Sequence, residues 1–191
     1  MVGPVGILAL QGDFARHQSK FEELGVATRS VRYVGDLDGL SGLVIPGGES
    51  TVLTKRIDAA GLRSALEDFA LTHPVLGTCA GLIMMAREAG NSKVRPLHLL
   101  DISVDRNGWG RQVHSFTTEI TTQLNGAAVS LPAIFIRAPR IIDYGPGIKV
   151  LAEHEGVPVL VQEGLHLAAA FHPELTADMQ VHEHFLKALA A

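Results

Sequence analysis

Residues 75–85 read Val-Leu-Gly-Thr-Cys-Ala-Gly-Leu-Ile-Met-Met. A short apolar run ends in Gly77-x-Cys79-x-Gly81, and a second apolar run follows at once. This is the pattern of a nucleophile elbow with cysteine in place of serine. A strand must turn abruptly into a helix there, and side chains flanking the apex would clash, which explains a glycine on each side. The thiol then stands at a helix N-terminus, where the positive end of the helix dipole favours thiolate. Ala80 is the first residue beyond it. Its backbone N–H has no intrahelical acceptor and is placed to donate to an oxyanion.

The segments on either side supply the sheet that such a turn needs. Val5–Leu10, Arg29–Val34, Gly42–Pro46 and Pro74–Thr78 read as buried strands. Helical segments alternate with them. Phe14, Phe21 and Leu24 share one face before Gly25, Ser50–Ala60 and Leu62–Leu71 are divided at Gly61, and Ala80–Ala89 stops at Gly90. A β-α-β-α order implies a parallel sheet with helices on both faces. The middle of the chain differs. Ile102–Val104, Ser115–Ile120, Ala133–Arg137, Val150–Glu153, Val157–Val161 and His166–Phe171 are strand-like with only turns between them. Antiparallel additions to the sheet are expected there. Thr176–Ala190 is expected to close the chain as a helix, capped by Thr176, with Asp178 at its positive end and Val181, Phe185 and Leu189 as its apolar stripe. The fold class is therefore α/β: three layers, α-β-α, around a mostly parallel central sheet.

Composition agrees with one domain, 1–191. The chain has 191 residues, 47% hydrophobic and 19% charged, too apolar for disorder. A net charge of −4 gives no basic surplus for nucleic acid. No apolar run approaches the ~18 residues of a membrane span, and the apolar start meets Gln11-Gly12-Asp13 without a basic region before it, unlike a signal peptide. A cytoplasmic protein is expected. Cys79 is the only cysteine, so there is no intrachain disulfide or cysteine-cluster metal site. His182 and His184 stand two apart on a helix and cannot converge on one metal, and nearly all the other histidines are expected at the surface.

A thiol nucleophile needs a base. His172, in Ala170-Phe-His-Pro-Glu-Leu175, follows an apolar strand, and active sites of parallel sheets lie at the carboxyl ends of strands. Pro173 disfavours helix at His172. Glu174 lies two residues on, close enough to orient the imidazole and stabilise imidazolium. Pro46-Gly-Gly-Glu-Ser-Thr51 follows the third strand and opens a helix, so a backbone N–H near Gly47 or Gly48 can complete an oxyanion hole with Ala80. It lacks the Gly-Lys-Ser/Thr of a phosphate loop. Arg106, Arg137 and Glu49 lie in polar turn segments. An arginine holds a carboxylate bidentately and Glu49 could hold an ammonium, a set suited to a zwitterionic amino acid.

Together these motifs resemble the triad-type, class I glutamine amidotransferases, whose fold is flavodoxin-like, and more narrowly the glutaminase branch that serves pyridoxal 5'-phosphate synthase. The segments carrying the resemblance span the chain: Leu8-Ala-Leu-Gln-Gly-Asp13, Pro46-Gly-Gly-Glu-Ser-Thr51, Gly77-Thr-Cys-Ala-Gly-Leu-Ile83, Arg106-Asn-Gly-Trp-Gly-Arg-Gln112, Phe135-Ile-Arg-Ala-Pro139 and Phe171-His-Pro-Glu-Leu175. The resemblance implies Cys79, His172 and Glu174 as a catalytic triad. It implies glutamine contacts from Gly47, Gly48, Glu49, Arg106, Ile136 and Arg137, and an oxyanion hole at Gly48 and Ala80. It also implies that no metal or organic cofactor is needed. By the same resemblance, ammonia would pass to a separate synthase subunit in a hetero-oligomer, and glutaminase activity would be weak until that partner binds. One departure is visible: the family usually has a small polar residue or alanine and then Phe or Tyr after Arg-Asn, where this chain has Gly108 and Trp109. A cysteine peptidase or glyoxalase on a related sheet is the rival enzyme, and a thiol redox sensor the rival without catalysis. Neither needs the Arg106 and Arg137 segments.

Overall fold

The computed structural model describes residues 3–90, 93–106, 115–124 and 126–189. Gly108 and Trp109 lie outside them. The first half runs β1 (Val5–Leu8), α1 (Phe14–Glu23), β2 (Thr28–Val31), β3 (Gly42–Ile45), α2 (Ser50–Ala59), α3 (Arg63–Ala70), β4 (Val75–Thr78), α4 (Ala80–Met85). The second half runs β5 (Ala86–Glu88), β6 (Leu100–Asp105), β7 (Ser115–Leu124), β8 (Ala127–Ile136), β9 (Arg140–Tyr144), β10 (Lys149–His154), β11 (Val157–Glu163), β12 (His166–Ala169) and α5 (Gln180–Ala188). A 3-10 turn spans Pro173–Leu175.

Among the described residues, nine strands form one sheet in the order β2-β1-β3-β4-β12-β11-β10-β7-β8. β2, β1, β3, β4 and β12 are mutually parallel. From β12 outward every pairing is antiparallel. The step from β1 to β2 runs one way along the sheet and the step from β3 to β4 the other. Right-handed crossovers in opposite directions place α1 and α2–α3 on opposite faces. α1 and α5 pack together through Phe21, whose ring meets Phe185 and His182. β1, β3 and β4 are buried throughout, as strands covered on both faces must be. β5, β6 and β9 form a smaller sheet.

Three expected boundaries change. The helix expected over Ala80–Ala89 stops at Met85, because the carbonyls of Met84 and Met85 accept N–H bonds from Leu97 and Leu99 at 2.6 and 2.9 Å. The chain leaves as the short strand β5, whose Arg87 bridges Asp101 and Asp143. The closing helix begins at Gln180, not Thr176. The Thr176 hydroxyl donates to the Pro173 carbonyl and accepts from the Asp178 N–H, forming a turn before the helix. Asp178 still serves the positive end, accepting the Gln180 N–H at 2.8 Å. The β7–β8 hairpin is longer than its apolar residues suggested, and β9 was not foreseen. It reads Arg-Ile-Ile-Asp-Tyr and buries Ile141 while Ile142 and Tyr144 face solvent.

One of the remaining histidines departs from expectation. His17 is fully buried rather than superficial, and so is His182 on the closing helix. His17 falls on the inward face of α1 between Phe14 and Phe21, so helical periodicity buries it.

Candidate active site

Three neighbouring parallel strands end at the same edge. β4 lies between β3 and β12, so the turn after β3 (Gly47-Gly48-Glu49), Cys79 after β4 and His172 after β12 converge. Cys79 adopts φ 49° and ψ −104°, a left-handed backbone that costs a non-glycine residue roughly 1–3 kcal/mol and is characteristic of functional turns. The surroundings enforce it. The Cys79 N–H donates to the Ala169 carbonyl of β12 at 2.9 Å. A Cβ at Gly81 would run into the Ile45 carbonyl, and one at Gly77 would lie 2.7 Å from the Gly81 backbone. The two glycines therefore let α4 press onto β3 and β4. Cys79 is 6% exposed, and its thiol points at the Ile136 carbonyl, 3.8 Å away.

His172 Nδ1 lies 2.6 Å from Glu174 Oε1. The backbone is pinned as well, the His172 N–H donating to the Ile134 carbonyl of β8 at 2.9 Å. Burial pulls the imidazole down, but the hydrogen bonds to Cys79 and Glu174 together outweigh it and raise the ring to about 10. Burial pushes the Glu174 carboxyl up, yet its hydrogen bond to His172 and the facing histidines hold it below the usual carboxylate range. The pair is thus an imidazolium–carboxylate. Gly47 completes the fit: a Cβ there would stand 2.5 Å from His172 Cε1. Only glycine lets the ring occupy its position beside Cys79.

A cavity of about 270 Å³ opens over these groups, large enough for a single amino acid. Gly47, Gly48, Glu49, Arg106, Ile136 and Arg137 all line it, with Cys79 and His172. Ala80 opens α4 directly beneath the thiol. Glu49 and Arg106 do not stand apart as separate clamps. Arg106 Nη2 bonds Glu49 Oε1 at 3.0 Å, and the same carboxylate caps α2 by accepting the N–H groups of Thr51 and Val52 at 3.1 and 2.8 Å. Burial raises the Glu49 carboxyl, but these bonds and the Arg106 charge hold it down. Arg137, at the end of β8, has φ 45° and is exposed.

Some participants carried no signal of their role. Gln11 donates to the Glu49 carbonyl at 2.8 Å, and the Gly47 carbonyl approaches Gly12 so closely that no Cβ fits there. The loop after β1 therefore buttresses the Gly47-Gly48 turn, which gives the Gln-Gly-Asp motif a physical purpose. The Ser50 hydroxyl, at the cavity wall, is buried without a hydrogen-bond partner among the described residues.

A family model described as the SNO glutamine amidotransferase family matches residues 7–191. The chain belongs to this family. Two relatives named pyridoxal 5'-phosphate synthase subunit PdxT are each 47% identical. That of Koribacter versatilis aligns over 183 residues, covering 96% of this chain and 94% of its own. That of Deinococcus radiodurans aligns over 188 residues, covering 95% of each. A crystal structure titled as a glutamine amidotransferase superposes with a TM-score of 0.92 at 40% identity, covering 99% of this chain and all of its own. The class I glutamine amidotransferase fold expected from the motifs is the fold observed.

Proposed function

We propose that this chain hydrolyses L-glutamine to L-glutamate and ammonia through a Cys79 thioester, as the glutaminase subunit of a pyridoxal 5'-phosphate synthase. The observation that carries it is the His172 ring, bonded to Glu174 at 2.6 Å and set beside Cys79 by the bare Gly47. Cys79 as thiolate attacks the side-chain amide carbon. Backbone N–H groups at Gly48 and Ala80 receive the oxyanion. The His172 imidazolium gives its proton to the amide nitrogen, the C–N bond breaks, and ammonia leaves. Neutral His172 then takes a proton from water, whose oxygen attacks the thioester carbon. Glutamate departs and the thiolate is restored. Glu174 remains ionised throughout and fixes the proton on the far nitrogen of the ring.

The Glu49–Arg106 pair matches the two charges of an amino-acid head group. Ammonium would face Glu49 and carboxylate Arg106, with Ile136 and Arg137 closing the pocket. The ammonia would pass to a synthase subunit docked over the site, shielded from bulk water, and the Gly47-Gly48 turn would be the part that docking completes. A single glutaminase domain over 1–191 is supported by the family match across 7–191. A cytoplasmic location is supported by the lone free thiol. Among the described residues no helix is long and apolar enough to cross a membrane.

The test is glutamate release measured with and without the synthase subunit. Wild type should release glutamate, faster with the partner, and Cys79→Ala none. Undiminished release by Cys79→Ala would overturn the assignment. A peptidase would cleave peptides without the partner, and a redox sensor would react with peroxide and free no ammonia.

A further inference from the structure

Beyond Glu174 lies a second pair of histidines that the chemistry above does not use. His17 on α1 and His182 on α5 are both 0% exposed. His17 Nδ1 is 3.1 Å from His182 Nε2. His17 Nε2 is 3.2 Å from the hydroxyl of Thr78, the residue before the nucleophile. The same Nε2 is 3.4 Å from Glu174 Oε2, the carboxylate oxygen that His172 leaves unused. That approach does not close into a hydrogen bond: neither Glu174 Oε2 nor His182 Nδ1 has a hydrogen-bond partner among the described residues.

These distances select one arrangement of protons. If His17 carried its proton on Nδ1, a bare Nε2 lone pair would face a carboxylate oxygen. His182 would then have to accept on Nε2 and bury an Nδ1–H with no acceptor, at a cost of about one to two tenfolds in stability. The reverse order gives both ring N–H groups an acceptor. His182 Nε2–H donates to His17 Nδ1, and His17 Nε2–H donates to the Thr78 hydroxyl with Glu174 Oε2 beside it. On the two rings, the atom left unmatched is then a lone pair at His182 Nδ1. The charges around the pair are Glu174 and His172 from the turn after β12, with Asp13 ahead of α1 and Lys20 on it. Burial dominates them and keeps both rings neutral.

We infer that His17, held by His182, is a positioning residue of the active site: its Nε2–H faces the second oxygen of Glu174 at 3.4 Å and helps keep that buried carboxylate ionised and turned toward His172. The inference deepens the glutaminase proposal and rests on it. Glu174 is 3% exposed, and a buried carboxylate stays charged only when donors serve it. The His172 ring and the backbone N–H of Glu174 itself donate to it, and the His17 Nε2–H faces Oε2. Without His17, the carboxylate is easier to protonate and the counter-charge of the His172 imidazolium is weakened.

The test follows the histidine ring nitrogens by NMR in the 15N-labelled full chain, alongside steady-state glutaminase assays with the synthase subunit. In wild type, His17 and His182 should both appear as neutral Nε2–H tautomers, and the His172 ring should titrate near 10. In His17→Leu the His172 midpoint should fall by about one pH unit or more. The kcat should fall at least about tenfold while KM stays within about twofold, the signature of lost transition-state stabilisation. His17→Gln, whose amide N–H can take the place of Nε2–H, should restore both. A folded His17→Leu with an unmoved His172 midpoint overturns the inference. Should His17→Leu not fold, the wild-type tautomers decide, and an Nδ1–H or doubly protonated His17 overturns it. A wild-type protein that shows the Nε2–H tautomers and the high His172 midpoint, yet releases no glutamate with the synthase present, sinks the glutaminase proposal instead.

Discussion

Gly47 has no side chain to contribute, yet it sets how closely His172 approaches Cys79. A methyl group there would stand 2.5 Å from His172 Cε1, and the ring cannot yield easily because its other side is tied to Glu174. Gly47→Ala should therefore fold, bind glutamine, and lose about a hundredfold or more in kcat, since a displacement near 1 Å is enough for that. Steady-state kinetics beside a thermal melt would check it, and an unchanged kcat would mean that the ring has room to spare. Arg106 makes the opposite case. It is tied to Glu49 at 3.0 Å and is assigned above to the head group of glutamine rather than to the reacting amide, so Arg106→Ala should raise KM about tenfold or more and change kcat little. A selective loss in kcat would place Arg106 closer to the chemistry than the cavity suggests.

At the scale of elements, the site is the meeting of three strand ends, and its support comes from loops that touch no substrate. The β1–α1 loop is the clearest. Gln11 holds the Glu49 carbonyl at 2.8 Å, and Gly12 allows the Gly47 carbonyl to lie against the loop. Gln11→Ala should lower kcat about tenfold through a looser oxyanion turn while the melting temperature hardly moves. An equal fall in melting temperature would show instead a general structural role. How much of this was legible in the sequence depends on range. The glycines around Cys79 announced the elbow, because a sharp strand-to-helix turn leaves few residue choices. The His-Pro-Glu run announced an imidazole paired with its own carboxylate for a similar local reason. The early end of α4 was not legible, because the groups that take its last carbonyls come from Leu97 and Leu99, more than ten residues on. Nor was the Glu49–Arg106 pair, made across 57 residues. His17 was hidden differently. It sits on an apolar helical face, where a polar residue has no local explanation, and its partners come from three other elements.

Across the whole molecule, the buried histidines and the triad tie stability to pH with opposite signs. His182 is held neutral chiefly by burial, its ring lowered to about 3, and His17 is lowered for the same first reason. As pH falls below the unfolded value of about 6.5, the unfolded chain binds protons that the folded chain refuses, so stability drops. His182 alone should account for about 2 kcal/mol between pH 7 and pH 5. His172 acts on the other flank. Raised to about 10, it contributes fully below about pH 6.5, and that contribution is lost as pH rises toward 10. Glu174, lowered, contributes above its unfolded value and is lost only at more acid pH. The cluster as a whole is thus most stabilising at about pH 6.5. Urea denaturation of wild type and His182→Leu at pH 7 and pH 5 would check the acid side. The variant should lose about 2 kcal/mol less than wild type between the two, and identical losses would mean that His182 is not held neutral.

The chain contains a single sulfhydryl, and it is the sulfur at the elbow. A coloured disulfide reagent therefore counts competent molecules in any preparation, with no background from other thiols. A dye attached through sulfur can land in one place only, so the label reports from within the cavity that Cys79 lines.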